Sequence, residues 1–197
     1  MVCFVYRTLV VLLVIFFISP AGLPAQSESD QTRDSKNTVS GKIVLGEVEE
    51  VTLLPWQIKL PARIDTGAEL SSIDARDVSI RNNSAEFKLG RRHGGAHLTL
   101  PLAGWRRIRT STGTADRPVV ELCICLGPKL VRTLATLSDR SEMSYPFLVG
   151  RSALNGTFMV DPSRSKAAHP VCPKDALQQV ERAYEKPLKY AEENAPQ

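Results

Sequence analysis

Short stretches in which apolar and polar residues alternate with a period of two recur from Gly41 to about Pro162, and no other feature constrains the fold as strongly. Ile58, Leu60, Ala62 and Ile64 alternate with Gln57, Lys59, Pro61 and Arg63. Successive side chains of a strand point to opposite faces, so such a segment buries one face and wets the other. Leu98, Leu100 and Leu102 repeat the pattern, and Val120, Leu122, Ile124 and Leu126 form one face of the next strand. Leu130 to Leu137 and Thr157 to Val160 continue the series. With Gly, Pro, Asn and Asp between them, these segments predict a small all-β domain, closed or sandwiched. After Pro173 the period changes. Ala176, Leu177, Val180, Ala183 and Tyr184 line one face of a helix that Pro187 ends.

The chain has 197 residues, 43% hydrophobic and 23% charged, which suits one folded domain with appendages and excludes a collagenous, wholly disordered or polytopic membrane protein. Residues 1–25 read as an export signal: Arg7 precedes an apolar run from Leu9 to Ile18, and Pro20 and Gly22 break it. The run is about half of the ~20 residues that span a bilayer as a helix. Cleavage after Leu23-Pro24-Ala25 would release the protein to the periplasm or the medium; only an uncleaved segment would leave it on a membrane. Residues 26–40 are polar and read as a disordered linker. Residues 41–162 then form the domain and 163–197 a helical tail.

Cys123 and Cys125 share one face of a strand and cannot easily bond to each other. Either one of them pairs with Cys172, or all three are buried thiols. A net charge of +4 gives no field suited to nucleic acid, so binding there is not expected.

The chemistry sits in Asp65-Thr66-Gly67-Ala68, directly after the alternating strand. A strand that delivers a carboxylate into a tight turn, with Thr and Gly behind it, is what half of an aspartic peptidase site requires. Two such carboxylates about 3 Å apart cannot both ionise, so one acts as base on water and the other polarises the scissile carbonyl. Gly67 leaves room for close backbone approach, and the Thr66 hydroxyl can bond across to the other half. Alone, such a three-residue match recurs by chance and is more often an ordinary turn.

A second element adds specificity. Phe147-Leu148-Val149-Gly150-Arg151-Ser152-Ala153-Leu154 reads as a buried strand ending in Gly, then a basic residue opening a short helix. With the Asp-Thr-Gly-Ala turn, the chain here resembles the retropepsins, the retroviral-type aspartic peptidases, from Ile58 to Leu154. Arg117-Pro118-Val119-Val120, Leu137-Ser138-Asp139-Arg140-Ser141 and Tyr145-Pro146 make it similar to a bacterial branch often labelled ATP-dependent zinc proteases.

The resemblance implies a closed retropepsin-like β barrel, with a short helix after the Gly-Arg element. It also implies a catalytic turn of Asp65, Thr66 and Gly67, substrate contacts from Ala68, Val149 and Trp105, and structural support from Glu69, Gly150 and Arg151. Arg151 would pair with Glu69, which stands where the family usually has Asp. With one Asp-Thr-Gly per chain, the active form would be a homodimer. The flexible flap of the family would fall between Gly90 and Thr114, its tip near Gly94-Gly95 or Ala103-Gly104-Trp105.

No cofactor or metal is expected. His93 and His97 stand four apart, but Gly94 and Gly95 disfavour a helix there and no Glu follows His93. No phosphate-binding loop supports the ATP label. Arg91, Arg92, Arg106, Arg107 and Arg109 surround the flap with Trp105. They read either as a solvated face or as a seat for an acidic peptide, the branch being associated with ATP-grasp ligases that append glutamates. The function expected is thus an exported, homodimeric aspartic endopeptidase. The alternatives are a peptide-binding module of the same fold without catalysis, and a zinc-dependent peptidase.

Overall fold

The computed structural model describes residues 38–110, 113–186 and 188. The expected export signal and most of the linker therefore lie outside the described residues. Twelve strands appear in order: β1 (Thr38–Val39), β2 (Lys42–Leu45), β3 (Val48–Leu54), β4 (Ile58–Ile64), β5 (Ser71–Asp74), β6 (Arg76–Arg81), β7 (Ser84–Lys88), β8 (His97–Thr110), β9 (Gly113–Leu126), β10 (Lys129–Ser138), β11 (Phe147–Val149) and β12 (Phe158–Val160). A 3₁₀ turn spans Arg91–His93, and two helices follow, α1 (Arg151–Leu154) and α2 (Ala176–Glu185). None of these helices is long and apolar enough to cross a membrane.

The main sheet closes on itself. The order β10-β5-β11-β4-β3-β9, together with the β9–β10 pairing, makes a six-stranded ring, and β8, β7 and β6 extend from β9. This is the all-β closed barrel expected. In β4 the alternation holds residue by residue: Leu60, Ala62 and Ile64 are buried, and Lys59, Pro61 and Arg63 exposed. The ring encloses Val51, Leu53, Leu60, Ile73, Leu122, Ile124, Phe147 and Val149, with a second small cluster outside it.

That second cluster lies where α2 covers the other face of β9. Cys123 and Cys125 pack there against Ala176 and Val180, so β9 is buried on both faces from Val119 onward. Cys125 is bonded to Cys172, and Cys123 is a buried free thiol. Glu121, fully buried, pairs with Arg132, which in turn donates to the carbonyls of Ala183 and Lys186 at the end of the helix. Leu177, expected on the apolar face, is 49% exposed, because the docked stripe runs through Ala176, Val180, Ala183 and Tyr184.

The expected boundaries shift at both ends. Thr38 and Val39, assigned to the linker, pair with β2 as β1. Beyond residue 162 the chain remains part of the domain: Lys166 N–H bonds to Val48 O at 2.7 Å, and the buried Glu49 carboxylate accepts from Ala167 and Ala168. A buried carboxylate needs such donors, and these bonds fix the tail to β3.

Candidate active site

Two strands end side by side. β4 and β11 are parallel, with Ile64 opposite Val149, so the residues that follow, Asp65 and Gly150, leave the sheet together. Asp65 N–H bonds to Val149 O at 3.0 Å. The half-buried Asp65 then turns back on its own loop, where Oδ1 accepts from Gly67 N–H at 2.8 Å and Ala68 N–H at 3.2 Å. A side chain on Gly67 would place its Cβ 3.1 Å from that oxygen, so glycine lets the amide reach the carboxylate.

The Gly-Arg element holds the turn from behind. Arg151 N–H bonds to Ala68 O and Ser152 N–H to Glu69 O, both at 2.9 Å. Such close approach requires Gly150, whose hypothetical Cβ would lie 2.4 Å from Leu70 O. Arg151 Nη1 donates to Thr66 O at 3.0 Å and Gly67 O at 2.7 Å. Its guanidinium thus bonds to the turn's carbonyls, and the Arg151–Glu69 pairing expected is absent from the described ion pairs. Glu69 points the other way and accepts from Arg106 Nη2 at 2.7 Å. Thr66 and Gly67 are exposed on the single chain.

β8 and β9 form a long antiparallel hairpin over this region, from Leu102 opposite Val120 to Thr110 opposite Gly113. Residues 111–112 at its end lie outside the described residues. The first strand of the hairpin lies within the stretch expected for the flap and the second runs beyond it, and neither tip proposed from sequence is its end. Gly94 and Gly95 close the 3₁₀ turn before β8, and Ala103-Gly104-Trp105 lies inside β8, where the register shifts between Leu102 and Gly104. A bulge that bends a strand leaves in sequence the same small-residue signal as a turn.

Between hairpin and turn lies a cleft of about 400 Å³. Ala68, Glu69 and Leu148 form one wall, and Arg106, Arg107 and Ile108 another. Arg117 and Arg140 also line it. Val149, expected to touch substrate, is fully buried in the core instead. Side chains alternate along β11, so Leu148 takes the cleft position between buried Phe147 and Val149. Trp105 is half-buried opposite Pro118, and its neighbours rather than the indole line the cleft. Arg107 pairs with Asp116 at 3.0 Å.

Arg140 is the residue that reading the sequence missed, although its segment was visible as a motif. Its N–H bonds to Asp74 Oδ1 at 2.7 Å and its Nε to Tyr145 O at 3.0 Å. Burial lowers its pKa, while the charges of Asp74 and Asp65 oppose that shift; an arginine so held keeps its charge. His93 ends the 3₁₀ turn and His97 opens β8, and no group of three His, Cys, Asp or Glu able to hold a metal occurs among the described residues.

The family model for the RimB-like retropepsin-like aspartic endopeptidases matches residues 44–170. A probable alpha-L-glutamate ligase of Shewanella pealeana is 31% identical over 115 residues, 54% of this chain and 25% of that protein. A probable alpha-L-glutamate ligase of Parasynechococcus marenigrum is 32% identical over 136 residues, 63% of this chain and 29% of that protein. The chain thus spans between a quarter and a third of the length of these relatives. A crystal structure of a Legionella pneumophila protein of unknown function is 30% identical, covers 62% of this chain and 95% of its own, and superposes with a TM-score of 0.56.

Proposed function

We infer that this chain, which belongs to the RimB-like family of retropepsin-like aspartic endopeptidases, hydrolyses peptide bonds with a pair of Asp65 carboxylates supplied by two copies. The observation that carries this reading is the turn itself. Asp65 is held by two backbone amides at the end of a barrel strand, beside Thr66 and Gly67, which are exposed on one chain. In the pair, one carboxylate takes a proton from the attacking water while the other, protonated, donates to the carbonyl oxygen. The water oxygen bonds to the carbonyl carbon, and the proton passes to the leaving amine as the C–N bond breaks. A hollow of about 650 Å³ beside Thr66, walled in part by Leu154, Phe158 and Val160, supports this reading as a surface that a second copy would cover.

The substrate is an acidic peptide. Arg106, Arg107, Arg117 and Arg140 line the cleft against the single carboxylate of Glu69, and arginines bind carboxylates in a planar, two-bonded fashion. The glutamate ligases that carry a matching region agree with this chemistry. The Cys125–Cys172 disulfide supports the further expectation that the protein is exported to an oxidising compartment.

Peptide cleavage by wild type and Asp65→Asn, across a dilution series, tests the reading. Activity should fall with the square of concentration below the dimer dissociation constant, and excess Asp65→Asn should poison wild type through mixed dimers. Full activity in Asp65→Asn, or a dilution-independent specific activity from monomers, would sink it.

A further inference from the structure

We propose that a second cavity, outside the cleft and separated from it by Arg140, is a distal subsite for carboxylate side chains of the peptide, remote from the bond that is cut. The proposal rests on the acidic-peptide reading and extends it to residues that the catalytic turn does not touch. The cavity is about 420 Å³ and lies under the 3₁₀ turn, walled by Arg76, Arg91, Arg92, His93 and Arg140. Arg140 lines both spaces, so an acidic chain leaving the cleft over its guanidinium enters the second cavity.

The charge there is not already spent. Asp74, 3% exposed, is engaged by Arg76 at 3.0 Å and by the Arg140 backbone at 2.7 Å. Arg76 also reaches Asp139 at 2.8 Å, so Asp74 and Asp139 occupy Arg76. Arg91 and Arg92 make no ion pair among the described residues, and the remaining acid in the wall is Glu142.

The wall is also fixed in place. Gly90 rests so close on Asp74 that a Cβ would lie 2.5 Å from its Oδ2, and Gly94 and Gly95 end the turn at φ of 88° and 60°, which suits glycine. His93 N–H bonds back to Gly90 O at 2.8 Å. Arg91 and Arg92 therefore project from a braced turn that is itself seated on the buried carboxylate of Asp74.

The test uses full-length Asp65→Asn protein, so that binding is read without cleavage, and fluorescein-labelled octa-L-glutamate as the probe. By anisotropy, adding Arg91→Gln/Arg92→Gln should weaken binding roughly tenfold, the scale of one lost charge-assisted contact. Arg81→Gln/Lys129→Gln, which removes two exposed charges elsewhere, should change it by less than about twofold. Equal losses in both variants, unchanged binding in the first, or no measurable binding of octa-glutamate would overturn the proposal. Incubating unsubstituted protein with the same peptide separates the two readings. Binding without cleavage would sink the peptidase and leave the subsite, whereas cleavage with unchanged affinity in Arg91→Gln/Arg92→Gln would sink the subsite alone.

Discussion

Arg106 on β8 donates to Glu69 at 2.7 Å, which ties the hairpin above the cleft to the segment that follows the Asp65 turn. Both side chains are partly exposed, so the pair contributes little to stability, on the order of 0.5 kcal/mol. Its consequence is for binding, because Glu69 occupies the guanidinium that an acidic peptide would seek. Glu69→Gln should therefore raise the affinity for octa-glutamate several-fold and leave the melting temperature within about 2 °C. Unchanged affinity would mean that Arg106 does not contact the peptide.

Arg151 joins two carbonyls of the turn through one nitrogen. Arg151→Ala should lower kcat by about tenfold or more by loosening the Asp65 loop, at a stability cost of about 1 kcal/mol for exposed bonds. Peptide hydrolysis and urea unfolding, measured on the same preparation, separate the two effects. An unchanged kcat in the folded variant, alongside the stability loss, would assign Arg151 a purely structural role.

Gly150 has no room for a side chain. In Gly150→Ala the new methyl would meet the Leu70 carbonyl, 2.4 Å away, and backbone on both sides of the contact cannot swing aside. The variant should lose about 3 kcal/mol of stability, the upper part of the usual overpacking range. Chemical denaturation checks it, and a loss under about 0.5 kcal/mol would show that the contact relaxes.

Cys123 makes stability depend on alkaline pH. Burial, and after it the Glu121 charge, pushes its thiol from 9.0 up to about 11. Above pH 9 the unfolded chain releases this proton while the folded chain keeps it, so unfolding becomes easier until the folded thiol also ionises near pH 11. Stability should fall by on the order of 2 kcal/mol across that window in wild type, and less in Cys123→Ala. Equal pH slopes in the two proteins would refute it. Iodoacetamide at pH 8 should leave Cys123 unmodified until the protein is unfolded.

The Cys125–Cys172 bond closes a loop with a sequence separation of 47. On the chain-entropy model this restricts the unfolded chain by about 4 kcal/mol. Cys172→Ser should lower stability by up to that amount, with peptide cleavage at 25 °C retained because the bond lies away from the turn. Loss of cleavage while the fold persists would instead couple α2 to the catalytic site.

Sequence alone determined what is local. Alternation along β4 assigned its faces, and a carboxylate with Thr and Gly at the end of that strand identified the turn, because side-chain direction and turn geometry are set by neighbours in the chain. The motif Phe147 to Leu154 likewise marked its own strand and helix. It did not show that Leu148, rather than Val149, faces the cleft, since a fully apolar strand carries no alternation to read. β5, β6 and β7 also escaped, being short and mixed in polarity. Only tertiary structure decided which groups meet across the barrel. The register of Ile64 against Val149 sends Arg151 to the turn's carbonyls and leaves Glu69 for Arg106. The choice of Cys125 over Cys123 for Cys172, and the placing of Arg140 between two basic cavities, follow from pairings between residues dozens of positions apart. Such contacts are selected by the packing of the whole core, and no short window of sequence contains them.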